Sequence, residues 1–320
     1  MPSITRRAFA SLLTALAFPV FAQSTYPSRP ITIVVPFPAG GPTDASARTY
    51  AKALAERLGQ PVVIDNRAGA AGTVGSAFVA RASADGYTLL WGGTSTLAVA
   101  PGLYRNLKYD AQSFVPIGMA LRGPLLLAAS PASGLGTLAE VRQKAKQQNV
   151  TVGTAGTGSI GHLATELYSE VAQVKLTHVP YRGGSPAITD AIGGQVDLVF
   201  DTAAALYPFV KSGKLRAIAV TGVRPYAPLP DTPTMQATVG SGYEAYSWFG
   251  LVAPRDTPEA VLRKLRTTMY QVIQSAEIRA LLNEQGVEPG VADADAFGKV
   301  IATDASKWSK IIQRANVTAE

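Results

Sequence analysis

The 320-residue chain has no cysteine and only two histidines. Without cysteine there are no disulfides, no thiolate metal ligands and no thiol nucleophile, so the fold rests on its core alone. His162 and His178 stand sixteen residues apart with no partner at metal-ligand spacing, so no metal site is expected. Charged residues make up 16% of the chain, and no run of Lys or Arg occurs. Nucleic-acid binding is therefore unsupported. Beyond the first two dozen residues no stretch offers 18 uninterrupted apolar residues, which argues against a spanning helix.

Hydrophobic residues reach 47%, enough for a packed core. Thirty glycines and 22 prolines are scattered as punctuation between short elements. Residues 1–22 have the form of an export leader. Arg6 and Arg7 precede the apolar run Ala8–Phe21, and Val20-Phe21-Ala22 precedes Gln23 as a cleavage site. Thr5-Arg6-Arg7-Ala8-Phe9 fits a twin-arginine signal, and an ordinary secretory leader with two arginines fits as well. Export predicts a soluble mature chain outside the cytoplasm. The formal charge of +7 loses Arg6 and Arg7 with the leader. A mild basic excess remains, which either helps attract anions or is simply a solvated surface.

The remainder alternates in period. Ile31–Val35 reads as a β-branched strand, 44–58 as a helix ended by Gly59, Val62–Ile64 as a strand, Thr73–Ala82 as a helix and Tyr87–Trp91 as a strand. The grammar recurs after residue 150, in the strands Val150–Gly153, Leu176–Val179, Val196–Phe200 and Leu215–Val220, with intervening helices one of which Ser185 caps. This predicts an α/β protein of two lobes, each a mostly parallel sheet flanked by helices, with a cleft between the lobes. Val115–Ser130 and Tyr246–Val252 are the expected crossovers, the second rich in core aromatics such as Trp248. A helical tail follows, its first helix capped by Thr257 and its last carrying Phe297, Ile301, Trp308 and Ile312. If the tail returns to the first lobe, the division is 23–127, 128–247 and 248–320.

Two Gly-rich turns carry the functional signal. Pro36-Phe37-Pro38-Ala39-Gly40-Gly41-Pro42-Thr43-Asp44 joins a strand to a helix N-terminus, where backbone amides and the helix dipole favour an anion. It reads equally as a βα turn capped by Thr43 or Asp44. Gly153-Thr154-Ala155-Gly156-Thr157-Gly158-Ser159-Ile160-Gly161-His162 has the same position in the second half, and together the two form a candidate pincer. Gly156, Gly158 and Gly161 match a dinucleotide fingerprint, but Thr177-His178-Val179 stands where the acidic residue belongs. Ser159 lacks the nucleophile-elbow spacing, and His162 lies too close on the same helix to serve it as a base. Tyr181 either covers a ligand or packs. Asp201 lies at a strand's C-terminal end, where ligands of open α/β sheets gather, or caps the next helix. No catalytic residue and no cofactor are expected.

Taken together, Tyr26-Pro27-Ser28-Arg29-Pro30-Ile31, the 36–44 turn, Asp65-Asn66-Arg67-Ala68-Gly69-Ala70-Ala71-Gly72, Asp85-Gly86-Tyr87-Thr88-Leu89-Leu90, Gly158–His162, Val179–Gly184 and Gly194–Asp201 resemble the Bug family, the TctC-type periplasmic receptors of tripartite tricarboxylate transport. The resemblance implies a type II periplasmic-binding fold that closes on a small carboxylate and delivers it, as a monomer, to cytoplasmic-membrane transporter subunits. It implies ligand contacts from Phe37, Pro38, Ala39, Gly40, Gly41, Thr43, Asp44, Thr154, Gly158, Ser159 and His162, with Tyr181 and Asp201 beside them. Aliphatic di- and tricarboxylates, amino acids and aromatic acids all remain open as ligands. A sensory receptor of the same fold and a secreted α/β hydrolase are the competing classes.

Overall fold

The run Ile31–Val35 forms the first strand, as its β-branched composition predicts. A computed structural model describes residues 26–240 and 242–319; the leader read over 1–22 lies outside them. In chain order the elements begin with β1 (Ile31–Val35), α1 (Pro42–Leu58), β2 (Val62–Asn66), α2 (Thr73–Ala80), β3 (Thr88–Gly93) and α3 (Ala100–Leu103). A long strand, β4 (Phe114–Ala129), leads to α4 (Leu138–Gln147), β5 (Thr151–Thr154), α5 (Ile160–Ala172), β6 (Thr177–Pro180) and α6 (Gly184–Ile192). Then come β7 (Leu198–Thr202), α7 (Ala203–Lys211), β8 (Arg216–Val220), α8 (Met235–Val239) and β9 (Tyr246–Pro254). The chain ends with α9 (Glu259–Gln274), α10 (Ala276–Glu284), β10 (Glu288–Pro289) and α11 (Ala294–Arg314).

Three helix starts differ from the sequence expectation. α1 begins at Pro42 with Gly41 as N-cap, not Thr43 or Asp44, because proline suits the first helical position. α6 begins at Gly184 after Gly183, whose φ of 117° no side-chain-bearing residue adopts readily; Ser185 is already inside the helix. α9 begins at Glu259, and the Thr257 hydroxyl instead donates to the Pro254 carbonyl at 2.7 Å.

The molecule is a two-lobed α/β protein on one curled, mixed sheet, ordered β2-β1-β3-β9-β4-β7-β5-β6, with β8 and β10 also paired to β4. β1, β2 and β3 are parallel, as are β5, β6 and β7. The antiparallel pairings all involve the crossovers β4 and β9 or the β10 edge. The expected pair of apolar runs over 115–130 is thus one strand that changes partners. Phe114–Pro124 pairs with β9, and Leu125–Ala129 with β7 and β8. Thr221 clasps the changeover. Its hydroxyl accepts from the Leu125 amide at 2.8 Å and also reaches the Ala245 carbonyl at the head of β9.

The core divides accordingly. Ile31, Ile33, Tyr50, Leu54, Leu265 and Met269 gather between β1, α1 and α9. A second cluster, around Ala187, Val199 and Leu206, belongs to the other lobe. The largest runs through both. Phe297, Trp308, Ile311 and Ile312 of α11 share it with Leu103, Leu163 and Tyr168. Full burial of each such side chain contributes roughly 1.5–3 kcal/mol.

Candidate functional site

Strand direction decides where the turns meet. β9 opposes both β3 and β4, so β4 runs with β1, β2 and β3 through this lobe. Gly93, at the end of β3, is level with Phe249, which is level with Leu121. Beyond the changeover β7 runs against β4, ending with Thr202 level with Leu125, and β5 and β6 follow β7. The C-terminal ends of all six parallel strands therefore point at one another across Leu121–Leu125, about 13 Å of extended chain. That is where ligands of open α/β sheets bind, at both faces of the same gap.

On the first lobe, Pro38, Ala39 and Gly40 are exposed and Phe37 is half-buried. Gly40 has φ 81° with open space around its Cα, and Gly41 leads into α1 with no side-chain cap. Asp44 is not at the mouth. It is 3% exposed and sits behind the turn, accepting from the Gly40 amide and Arg48 Nε, both at 2.9 Å, and from Asn66 Nδ2 at 2.9 Å. Asn66 Nδ2 also donates to the Phe37 carbonyl at 3.1 Å. The hydrogen bond from Arg48, helped by those of Gly40 and Asn66, holds the Asp44 carboxyl down at about 2. Asp44 and Asn66 thus lock the turn, leaving its backbone to face outward. Thr43 is half-buried in the first helical turn.

On the second lobe, Thr154 is fully buried and Ser159 is the N-cap of α5, its Oγ accepting from the His162 amide at 3.3 Å. The Ser159 hydroxyl lies 3.4 Å from Thr154 Oγ1, which also receives the Gly156 amide at 3.3 Å. His162 is 6% exposed, and its Nδ1 accepts from the Gly158 amide at 3.2 Å. Its ring stacks on His178 at 3.6 Å between centroids and 8° between planes. Burial and the neighbouring His162 push His178 down to about 3. A Cβ on Gly161 would lie 2.2 Å from the Phe200 carbonyl oxygen, so only glycine lets α5 sit this close to β7. Ser159 and His162 form no nucleophile–base pair, because the Ser159 oxygen caps the helix and the His162 ring faces Gly158 and Glu166.

Tyr181 is half-buried at the end of β6 and donates its hydroxyl to Asp190 Oδ2 at 2.7 Å. Asp201 is the penultimate residue of β7, and Thr202, not Asp201, is the N-cap of α7. Asp201 Oδ1 accepts from the Thr202 amide at 2.7 Å, and Oδ2 lies over Gly184 at the start of α6. Burial raises its carboxyl above the ordinary carboxylate range.

Sequence reading passed over three contributors. Asn66 links β2 to the first turn, and His178 lies under the second. After β3, residues Thr94–Val99 form a π-helical turn in which Gly93 donates to Thr96 Oγ1 at 3.0 Å and Trp248 to Thr94 Oγ1 at 2.9 Å. Gly92-Gly93-Thr94-Ser95-Thr96 has the Gly-rich strand-end grammar of the other two turns, and that signal was available in the sequence.

The model of the tripartite tricarboxylate transporter family receptor matches residues 46–317. Protein BugT of Bordetella pertussis is 35% identical over 302 residues, spanning 93% of this chain and 92% of that one. Among solved structures, R. palustris Rpa4515 with adipate is 35% identical with a TM-score of 0.85, over 92% of this chain and 99% of that one. MatC from Rhodopseudomonas palustris with bound malate is 31% identical with a TM-score of 0.81, over 90% and 100%.

Proposed function

Because this chain belongs to the tripartite tricarboxylate transporter receptor family, we propose that it is a periplasmic solute-binding protein that captures a small carboxylate between its lobes and passes it, unaltered, to a membrane transporter. The observation that carries the reading is the opposition of two Gly-rich strand–helix turns across Leu121–Leu125, each braced from behind. Helix N-terminal amides complement a carboxylate without the full desolvation penalty of a buried ion pair. Adipate and malate in the two solved relatives support an aliphatic acid as ligand.

The ligand-facing groups are the backbone of Phe37–Gly41 with Thr43, and the backbone of Thr154–Ser159. Asp44 and His162 act through the turns they hold. Asp201 meets the far end of the ligand, where burial favours its neutral form, which can donate a hydrogen bond to a ligand hydroxyl or second carboxylate. Tyr181 walls that end. The expected lobe boundaries at 127/128 and 247/248 shift by two or three residues, to Pro124/Leu125 and Ala245/Tyr246, where the strands change partners. The lobes close by hinging at the Pro124–Leu125 changeover and the head of β9, and the ligand shifts the population by touching both. The protein works as a monomer without catalysis.

Thermal unfolding of the purified protein, stripped of ligand by unfolding and refolding, tests this. A ligand at 100 times its Kd adds about 2.7 kcal/mol to the native state. One carboxylate from a panel including adipate and malate should raise the melting temperature while its amide does not. A flat panel overturns the carboxylate reading.

A further inference from the structure

The two histidines of this chain, distant in sequence, stack face to face directly beneath the second-lobe turn. The surrounding hydrogen bonds define their protonation. Thr154 Oγ1 receives the Gly156 amide at 3.3 Å and the Ser159 hydroxyl at 3.4 Å. With both its lone pairs engaged, its own proton goes to His178 Nε2 at 2.7 Å in preference to the Gly156 carbonyl at 3.4 Å. His178 is then neutral, with its proton on Nδ1. His162 Nδ1 accepts from the Gly158 amide at 3.2 Å, so its proton is on Nε2, on the side of Glu166 Oε1 at 3.6 Å. Among the described residues Glu166 is the acid within 4 Å of either ring; the β5 strand and the turn itself present only Thr151, Thr154, Thr157 and Ser159. The rings lie parallel, so their nitrogens do not converge on an ion, and the described residues hold no cluster of metal-ligating side chains.

We propose that His162 and His178 are a neutral positioning pair for the second-lobe turn, so that protonating either frees the Gly156 and Gly158 amides and weakens carboxylate binding. A proton on His162 Nδ1 would face the Gly158 N–H, donor against donor, and one on His178 Nε2 would turn the Thr154 proton to the Gly156 carbonyl and bring a third donor to Oγ1, displacing the Gly156 amide or the Ser159 hydroxyl. The sign is the opposite of the simple electrostatic one, in which positive charge beneath an anion site tightens binding on acidification. Only this last step rests on the carboxylate reading; the pair's hold on the turn does not.

The test is ring-nitrogen NMR of the 15N-labelled protein, made without a histidine tag, from pH 7.5 to 5. At pH 7.5 one ring should carry its proton on Nδ1 and the other on Nε2, assigned by single variants. The Gly156 and Gly158 amides should shift with the midpoint of the first ring to protonate. His162→Asn and His178→Gln keep an acceptor at the same position without titrating, so the double variant should keep the turn and lose the amide titration. Adipate is the probe for binding. Its Kd should rise about tenfold per pH unit below that midpoint, and stay level in the double variant over the same range. The opposite tautomers, a charged ring at pH 7.5, no ring protonating by pH 5 while adipate binding still weakens, glycine amides indifferent to a ring that does protonate, or equal pH slopes in both proteins would overturn the proposal. If adipate fails to bind at any pH while the amides follow the rings, the pair stands and adipate is excluded as the cleft's ligand.

Discussion

The two turns facing the gap do the same geometric work with different chemistry. The first is braced by charge, with the buried Asp44 carboxylate drawing in the Gly40 amide, Arg48 and Asn66. The second is braced without an ion pair of that kind: Ser159 donates to Thr154, Thr154 is bonded to His178, and the His178 ring stacks on that of His162. Asp44 must be protonated for the first brace to fail, so its contribution begins to fall only below the ordinary carboxylate value, whereas keeping His178 neutral begins to cost stability as soon as the unfolded chain takes up its proton, near pH 6.5. The lobes should therefore respond differently to pH although their backbone outlines are alike.

The comparison breaks most sharply at the close contact under the second turn. Gly161→Val drives a side chain into the Phe200 carbonyl and should cost about 3 kcal/mol in urea unfolding, with the first lobe's contacts untouched. Asp44→Ala removes the acceptor of three donors at once and should cost about 2 kcal/mol by the same measurement. Thr154→Val keeps the volume but removes the hydroxyl at the centre of the second brace. A loss of about 1.5 kcal/mol is expected, with ligand affinity falling more than stability. Ser159→Ala removes a helix cap and a long hydrogen bond to Thr154, together worth about 1 kcal/mol. At the small end, Arg314→Ala deletes an exposed ion pair with Glu170 and should change stability by less than about 0.5 kcal/mol.

A pH series sharpens the same contrast. His178 is held neutral, its pKa lowered from 6.5 to about 3. The unfolded chain therefore binds this proton first, so the contribution is whole above pH 6.5 and is lost as pH falls toward 3. Asp44 is lowered from 3.8 to about 2. Its contribution is whole above pH 3.8 and is lost only between there and 2. Amide hydrogen exchange should show the Gly156–Gly158 segment losing protection before the Gly40–Asp44 segment. Simultaneous loss would mean that the two braces are not independent.

Much of the fold was legible locally. The β-branched run Ile31–Val35, the 3.6-residue stripe from Ala47 to Leu58 and the αL Gly59 that ends it can be read within a dozen residues. The Gly-rich turns were legible for the same reason, since strand, glycines and helix start are consecutive. Helix starts at Pro42, Gly184 and Glu259 were missed because several adjacent residues can cap, and the choice depends on how the preceding strand delivers the chain. The directions of the Asp44 and His162 side chains were equally out of reach. Each looks like a polar residue in a first helical turn, yet both point back under their turns.

By itself the sequence determined the element types, their order, the positions of the two Gly-rich turns and the family, because these are carried by short-range periodicity, glycine and motif. The tertiary structure alone decided that six strand ends face one gap, that one strand serves both lobes, and that His162 and His178 touch. Those facts depend on strand direction and register between segments tens of residues apart. A one-residue slip in β5 against β6 would turn His178 to the other face of the sheet.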